Sequence, residues 1–526
     1  MNLKMNVEEI LGFFLKKGLL VDKEVLNLLS EAEDIETVKL IVEKIGNQTN
    51  KKIITKRVFE ENREEVRNIF SNLPEENLKK VESLKVKLGL SIEISKEVAT
   101  EIIKKPEFNK LGDEEVRIIS TNPALGKKLE VGDFVKSFRS RYNELKTILQ
   151  DRQELNNLVS INKISGSRQG ISVIAMISDK KVTKNKNIIF GVEDLTGTVK
   201  ILVNQNKSEL YKKAEEVTLD SVLGFKCSGN SEILFANDII FPESALLERK
   251  KSPVEEYVLF LGDLHFGSKR FMEENFLKFL DYLNGKLENS DKNEIEKIKY
   301  LFLVGDIVTG VGNYPDQEID LKIKDLEEQF SKLAELLDKI PKRIKIIISP
   351  GNHDGVRLME PQPLINEKYA WPLYRLSNII FTSNPAELNI GAKEGFGGFN
   401  VLTYHGFSFP YYANTIPSLV AKRAMNCPDE IAKFLLKYRH LAPSHASVQY
   451  FPTENDALLI KHIPDIFVFA HTHKSAVSYY KNILLISISC WEEMTPYQEK
   501  FGNTPDHCKV PIFNLKTRAI KILDFE

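Results

Sequence analysis

Five apolar runs in the C-terminal half of the chain each lead into a cluster of glycine, aspartate, asparagine or histidine, and this repeated arrangement restricts the fold more than any other feature. The runs are YVLFL (257–261), YLFLV (300–304), IKIII (344–348), NVLTY (400–404) and DIFVFA (465–470). The clusters are Gly262-Asp263-Leu264-His265, Gly305-Asp306, Gly351-Asn352-His353-Asp354, His405-Gly406 and His471-Thr472-His473. Nearly continuous apolar runs, separated by helical stretches such as DLEEQFSKLAELLDKI (325–340), predict strands buried on both faces in an α/β layered sheet. In such sheets ligands bind beyond the carboxyl ends of the strands, so clusters at five strand exits converge on one site. This domain is expected over residues 254–526.

The chain has nine histidines, and five of them fall in these clusters. One buried histidine is ordinarily a hydrogen-bonded core residue; five at strand exits reverse that weighting. His440, His445, His462 and His507 have no such placement and are read as structural or surface residues. Carboxylate, imidazole and amide donors together suit two divalent cations, with Mn²⁺ the first choice and Zn²⁺ or Fe the alternatives. Paired cations activate a shared water and need a bridging carboxylate, for which Asp306 is the isolated candidate.

In order and spacing the clusters resemble the signature of the calcineurin-like dinuclear metallophosphoesterases: D-x-H, GD, GNH[DE], H and [GA]HxH, over residues 262–473. The resemblance implies one metal held by Asp263, His265, Asp306 and His473, and a second held by Asp306, Asn352, His405 and His471. It assigns His353 as general acid, with Asp354 expected to orient it. Thr309 departs from the pattern, because many relatives carry Asp, Asn or His there.

Upstream, residues 6–45 place Ile10, Phe13, Phe14, Val25, Leu28, Leu29, Val38, Ile41 and Val42 at helical spacing, which predicts a helical bundle over 1–71. Residues 72–157 read as a linker and partly ordered connector. The stretch 72–117 is rich in Lys and Glu, contains Pro74 and Pro106 and has no sustained period, whereas 134–152 is helix-like. Over 158–243 the pattern changes to short β-branched runs. ISVIAMI (171–177), two strands joined at Asp194-Leu195-Thr196-Gly197, a helical stretch at 208–217 and two further strands predict a five-stranded OB-fold barrel.

Lys and Arg number 73 against 74 Asp and Glu, which excludes a globally basic nucleic-acid coat. No apolar run approaches the roughly 18 residues of a membrane span. The four cysteines show no CxxC pairing. A cytoplasmic protein without disulfides or membrane contact is expected.

An OB domain immediately before a phosphoesterase domain resembles the small subunits of replicative DNA polymerases. The complete ligand set points to the archaeal family D small subunits, because eukaryotic relatives generally lose it. GDIVTGVGNYP (305–315), IPDIFVFAHTH (463–473) and CWEEMTPYQEKFGNTPDHCKVPIFNL (490–515) extend the resemblance over most of 155–520. It implies a proofreading 3′→5′ exonuclease acting on a single-stranded or primer–template DNA 3′ end. The implied partner is a large polymerizing subunit, with any sliding clamp reached indirectly. Phe266, Tyr314, Tyr411 and Tyr412 are candidate base-stacking residues, weighed against core packing. Two other readings stand beside this one: a non-catalytic architectural subunit, and a stand-alone phosphatase or phosphodiesterase.

Overall fold

Apolar residues four apart open the chain: helix Val7–Lys16 buries Ile10 and Phe14 on one face. Beyond it, β1 (Leu20–Val21) pairs in parallel with β2 (Ile53–Ile54). The computed structural model describes residues 7–22, 25–26, 53–54, 116–121, 128–166, 168–288, 290–500 and 502–526. The chain forms two units, Met1–Asp113 and Glu114–Glu526. Apart from these elements, the helical bundle expected over 1–71 lies outside the described residues. So does the linker reading over 72–115.

The second unit begins with β3 (Val116–Ser120), then helix Val131–Gln150, where the Asp133 carboxylate accepts from the Glu130 N–H at 3.0 Å and caps the first turn. One face of this helix buries Tyr142, Leu145 and Leu149 against Ile174, Met176, Val222 and Ile240 of the barrel that follows. The barrel comprises β4 (Arg168–Val182), β5 (Ile188–Asp194), β6 (Gly197–Val203), helix Ser208–Glu215, β7 (Val222–Gly229) and β8 (Ile233–Ile240). Its strand order is β4-β5-β6-β8-β7, closed because the long β4 pairs with both β5 and β7. A register shift between Ile177 and Asp179 bends β4 enough to serve two neighbours. At the β5–β6 turn, Asp194 Oδ1 accepts from the N–H groups of Thr196 and Gly197 at 2.7 and 3.0 Å. Alternation along β4 sends Val173, Ala175 and Ile177 inward to meet Phe190, Ile201 and Phe225.

The remaining strands are β9 (Tyr257–Leu261), β10 (Ile298–Val304), β11 (Lys345–Ser349), β12 (Ile379–Phe381), β13 (Ala386–Ile390), β14 (Phe399–Tyr404), β15 (Ile466–Phe469), β16 (Ala476–Tyr480), β17 (Ile483–Ser487), β18 (Lys509–Asn514) and β19 (Ile520–Asp524). Together with β3 they form two six-stranded sheets, where the sequence suggested a single layered sheet. One has the order β12-β11-β10-β9-β18-β19 and the other β16-β17-β15-β14-β13-β3. Strand β3 lies inside the stretch read as connector, yet it forms an edge of the second sheet, with Ile118 opposite Leu388.

Each apolar run feeds two cores. In β9, Val258 and Phe260 face the second sheet, while Leu259 and Leu261 face helices Glu273–Leu283 and Leu326–Leu337. In β15, Ile466 and Val468 join the inter-sheet core, while Phe467 and Phe469 face helix Pro428–Tyr438. Burying one such side chain stabilises the fold by roughly 1.5–3 kcal/mol. The parallel strands β9, β10 and β11, with β14 and β15 of the facing sheet, bring their carboxyl ends to one end of the sandwich. Among the described residues no helix is long and apolar enough to cross a membrane. The four cysteines are free, and Cys227, Cys490 and Cys508 are buried.

Candidate metal centre

The turns at the strand exits have an unusual backbone. Asp263, His265, Asp306, His471 and His473 have φ of 46, 49, 48, 70 and 55°, the left-handed region that side chains avoid. Each such residue costs about 1–3 kcal/mol unless its surroundings hold it. These turns fold the side chains back over the ends of both sheets. Two glycines make room for them: a Cβ on Gly305 would strike the His405 ring, and one on Gly351 would strike the Asp306 backbone and the His405 ring.

The side chains so placed meet at contact distance. His405 Nε2 lies 2.9 Å from Asn352 Oδ1, 3.2 Å from His471 Nδ1 and 3.3 Å from Asp306 Oδ2. His265 Nε2 lies 3.2 Å from His473 Nε2 and 3.9 Å from Asp306 Oδ2. Asp263 Oδ1 faces His473 Nε2 and His405 Nδ1, each at 3.9 Å. Three groups have their donor atoms close enough to hold a cation: Asp263, His265 and His473; His265, Asp306 and His353; and Asp306, His405 and His471. Asp306 belongs to two of them.

Lone pairs crowd these groups. A single proton on His405 Nε2 cannot serve both the Asn352 and the Asp306 oxygen, and Asp263 Oδ1 and His405 Nδ1 are buried without any hydrogen-bond partner. Buried orphan polar atoms are costly, and divalent cations between these side chains would satisfy them at once. The donor set therefore fits the metals expected of it.

The electrostatics follow the same pattern. Burial opposes ionisation of Asp306, but the imidazoles of His405, His353 and His265 outweigh it and hold the carboxyl well below its usual range. Burial raises Asp263 well above its usual range, His405 offsets part of the rise and Asp306 adds to it. Burial would lower His405, yet the Asp306 carboxylate lifts it to about 9. His471 is pushed down to about 3 by burial and then by His405. His473 falls well below its usual value through burial and then His265.

Residues 257–475 match the family model described as calcineurin-like phosphoesterase. The DNA polymerase II small subunit of Methanothermobacter thermautotrophicus is 31% identical over 523 residues, which are 99% of this chain and 100% of that protein. The chain belongs to the archaeal DNA polymerase II small-subunit family. The small subunit of Pyrococcus horikoshii is 35% identical over 471 residues, covering 87% of this chain and 73% of its own length. For the Pyrococcus furiosus subunit the figures are 36% over 400 residues, 74% of this chain and 63% of that protein. The chain thus spans somewhat under two thirds of the length of the latter relative.

Seen as a family member, the chain departs from its sequence-based expectations at several side chains. Asp354 does not orient the His353 ring: its carboxylate accepts from the N–H groups of Gly351 at 2.7 Å and Val308 at 3.0 Å, and so braces the exits of β10 and β11. Burial and then the charge of Asp306 push its pKa up to about 7. The His353 ring is held by the Thr309 carbonyl, 2.8 Å from Nδ1, which leaves Nε2 free. Asn313 flanks the same nitrogen at 3.1 Å and donates to the same carbonyl at 3.0 Å. Position 309 therefore acts through its main chain, which is indifferent to the side chain there.

Two further contacts carried no local signal in the sequence. Gln498 Nε2 lies 2.8 Å from His473 Nδ1, and Asn384 Oδ1 accepts from the His405 N–H at 2.8 Å. Of the candidate stacking residues, Phe266 packs in the core against Phe271, and Tyr412 is buried with its hydroxyl on Ser447. Both are core residues and no longer candidates. Tyr411 is half-buried, Tyr314 is exposed, and the half-buried Phe407 ring lies 5.4 Å from that of His471.

Proposed function

We propose that this chain is the proofreading subunit of a heteromeric DNA polymerase, a two-metal 3′→5′ exonuclease that binds a separate large polymerizing subunit. The observation that carries the reading is the sharing of Asp306 between two donor groups, with its Oδ2 3.3 Å from His405 Nε2 and 3.9 Å from His265 Nε2. On this reading Asp263, His265, Asp306 and His473 hold one metal, and Asp306, Asn352, His405 and His471 hold the other, Mn²⁺ being the best match to the donors. When bound, the pair supplies an activated water and offsets charge on the phosphate oxygens.

The other steps belong to the chain's own residues. His353 keeps its Nδ1 proton on the Thr309 carbonyl and delivers a proton from Nε2 to the leaving 3′ oxygen. Asp306 Oδ1 accepts from the His353 N–H at 2.8 Å, which ties the acid to the bridging carboxylate. Tyr314 and Phe407 offer ring faces to unstacked bases. The barrel order β4-β5-β6-β8-β7, with a helix between the third and fourth strands, supports reading residues 158–243 as an OB fold, and the family match over 257–475 supports reading 254–526 as the phosphoesterase domain. Family membership supports a large-subunit partner, a DNA 3′ end as substrate and a cytoplasmic location. A purely architectural subunit would have no use for the orphaned Asp263 Oδ1.

The test uses the purified chain with Mn²⁺ and single-stranded or mismatched 3′ ends. Mononucleotides should be released slowly, faster once the large subunit is added, and no DNA should be synthesised by the chain alone. His353→Ala should keep the metals and lose roughly 10²–10⁴-fold in rate. Loss of metal from His353→Ala, or a preference for a small phosphomonoester over DNA, would overturn the reading.

A further inference from the structure

The segment that follows β17 is fastened at both ends to one metal-site group. Trp491 donates its N–H to the Asp263 carbonyl at 3.0 Å, and Asp506 donates its N–H to the His473 carbonyl at 2.8 Å. Between these ties lies the short helix Pro496–Lys500, entered through Thr495-Pro496-Tyr497-Gln498. Thr495 Oγ1 accepts from the Gln498 N–H at 3.3 Å, and Gln498 Oε1 accepts from the Thr495 N–H at 2.9 Å, the reciprocal pair of a capping box. The other end of the same amide reaches the metal site, with Gln498 Nε2 2.8 Å from His473 Nδ1.

The amide therefore stands between two groups, and it has a single oxygen. The Thr495 N–H is a permanent donor. The His473 ring directs its Nε2 at the other donors of its group, 3.2 Å from His265 Nε2 and 3.9 Å from Asp263 Oδ1. An imidazole that ligates a metal through Nε2 holds its proton on Nδ1 and donates it there. Both neighbours of Gln498 are then donors, and its oxygen can face only one of them. An NH₂ group left against the Nδ1 proton would forfeit the bond that orients the ligand. Turning the amide over serves the ligand and leaves the Thr495 N–H facing the NH₂ group.

We propose that Gln498 is a positioning residue that couples metal loading to the turn at 495–500. With a metal at Asp263, His265 and His473, its oxygen turns to the His473 Nδ1 proton, and the capping box gives up its Thr495 bond. The proposal rests on the two-metal reading and deepens it. A glutamate at this position would end the competition, because one carboxylate oxygen accepts from His473 while the other keeps Thr495.

The experiment compares the full chain with Gln498→Glu and Gln498→Ala, each stripped with a chelator and then titrated with Mn²⁺. Calorimetry reads the affinity, and hydrogen–deuterium exchange with mass spectrometry reads the peptide 494–500. In the native chain Mn²⁺ should speed exchange of the Thr495 amide by roughly two- to tenfold, the worth of one net hydrogen bond. A residue that merely braced the ligand would give the opposite sign, since a bound metal then slows exchange around it. Gln498→Glu should bind Mn²⁺ roughly tenfold or more tightly in one step and keep the Thr495 amide protected on loading. Gln498→Ala should bind more weakly, with fast exchange of this amide whether or not Mn²⁺ is present. Native exchange that Mn²⁺ leaves unchanged or slows overturns the proposal and leaves the metal assignment intact. So does a Gln498→Glu variant that binds no more tightly, or one that binds more tightly yet shows the native speeding of exchange, which would reduce the gain to added charge. A native chain that binds no Mn²⁺ overturns the metal assignment together with the proposal.

Discussion

Replacing Arg141 by methionine takes the cation out of a buried cluster that joins three parts of the C-terminal unit. Arg141 Nε pairs with Asp456 Oδ2 at 2.6 Å, both side chains being 3% exposed. Its Nη1 donates to the carbonyls of Pro443 at 2.8 Å and Asp220 at 3.3 Å, so helix Val131–Gln150, the barrel and the 440–460 loop share one guanidinium. Removing one member of a buried pair leaves the other charge uncompensated, which costs about 3–5 kcal/mol.

The cluster also gives this deficit a pH signature. His440 Nε2 lies 3.0 Å from the same Asp456 oxygen, and its pKa is pushed down to about 4, by burial first and by Arg141 next. Against an unfolded value of roughly 6.5, the unfolded chain binds a proton over a range where the folded chain does not. The native protein therefore loses stability, on the order of 3 kcal/mol, as pH falls from about 6.5 to 4. Without Arg141 no cation competes for Asp456, so His440 protonates in the folded state and supplies the missing charge. The variant is spared the native protein's loss. Urea denaturation followed by far-UV circular dichroism should show a deficit of about 3–5 kcal/mol at pH 8 that shrinks markedly by pH 5. Adding His440→Gln should abolish the recovery. A deficit under about 1 kcal/mol at pH 8, or one of equal size at both pH values, would refute the reasoning.

Asp306→Asn should lose metal and nuclease activity together, as measured by elemental analysis and strand digestion, because Asp306 belongs to two of the donor groups. Gln498→Ala frees the His473 ring and should weaken metal affinity by about 10–100-fold in calorimetric titration, with the thermal transition little changed. Gly351→Ala drives a Cβ into Asp306 and His405 and should abolish metal binding while the barrel's amide-exchange protection is preserved. Phe302→Ala empties a position stacked on Phe260 at 5.5 Å between the two sheets and should cost about 3–5 kcal/mol in denaturant titrations.

The strand exits and their ligand-type residues were legible in the sequence because both signals are local. An apolar run of five residues followed by glycine and aspartate reads the same in any context, and β9 coincides with the run YVLFL. The barrel strands were legible for the same reason, through alternation and the Asp194 turn. Other features depended on approach through space. Whether five buried strands form one sheet or two depends on which backbone edges meet, and Val116–Ser120 becomes a strand because β13 offers it a free edge. Asp354 follows His353 in the chain, yet successive side chains at a tight turn diverge, so its carboxylate meets the N–H groups of Val308 and Gly351 while the imidazole meets Thr309 and Asn313. Phe266 and Tyr314 both lie near site motifs, and only packing decided that one is core and the other exposed. Local sequence sets which groups leave each strand; the partner of each group depends on distances of about 3 Å between segments hundreds of residues apart, which only the folded chain determines.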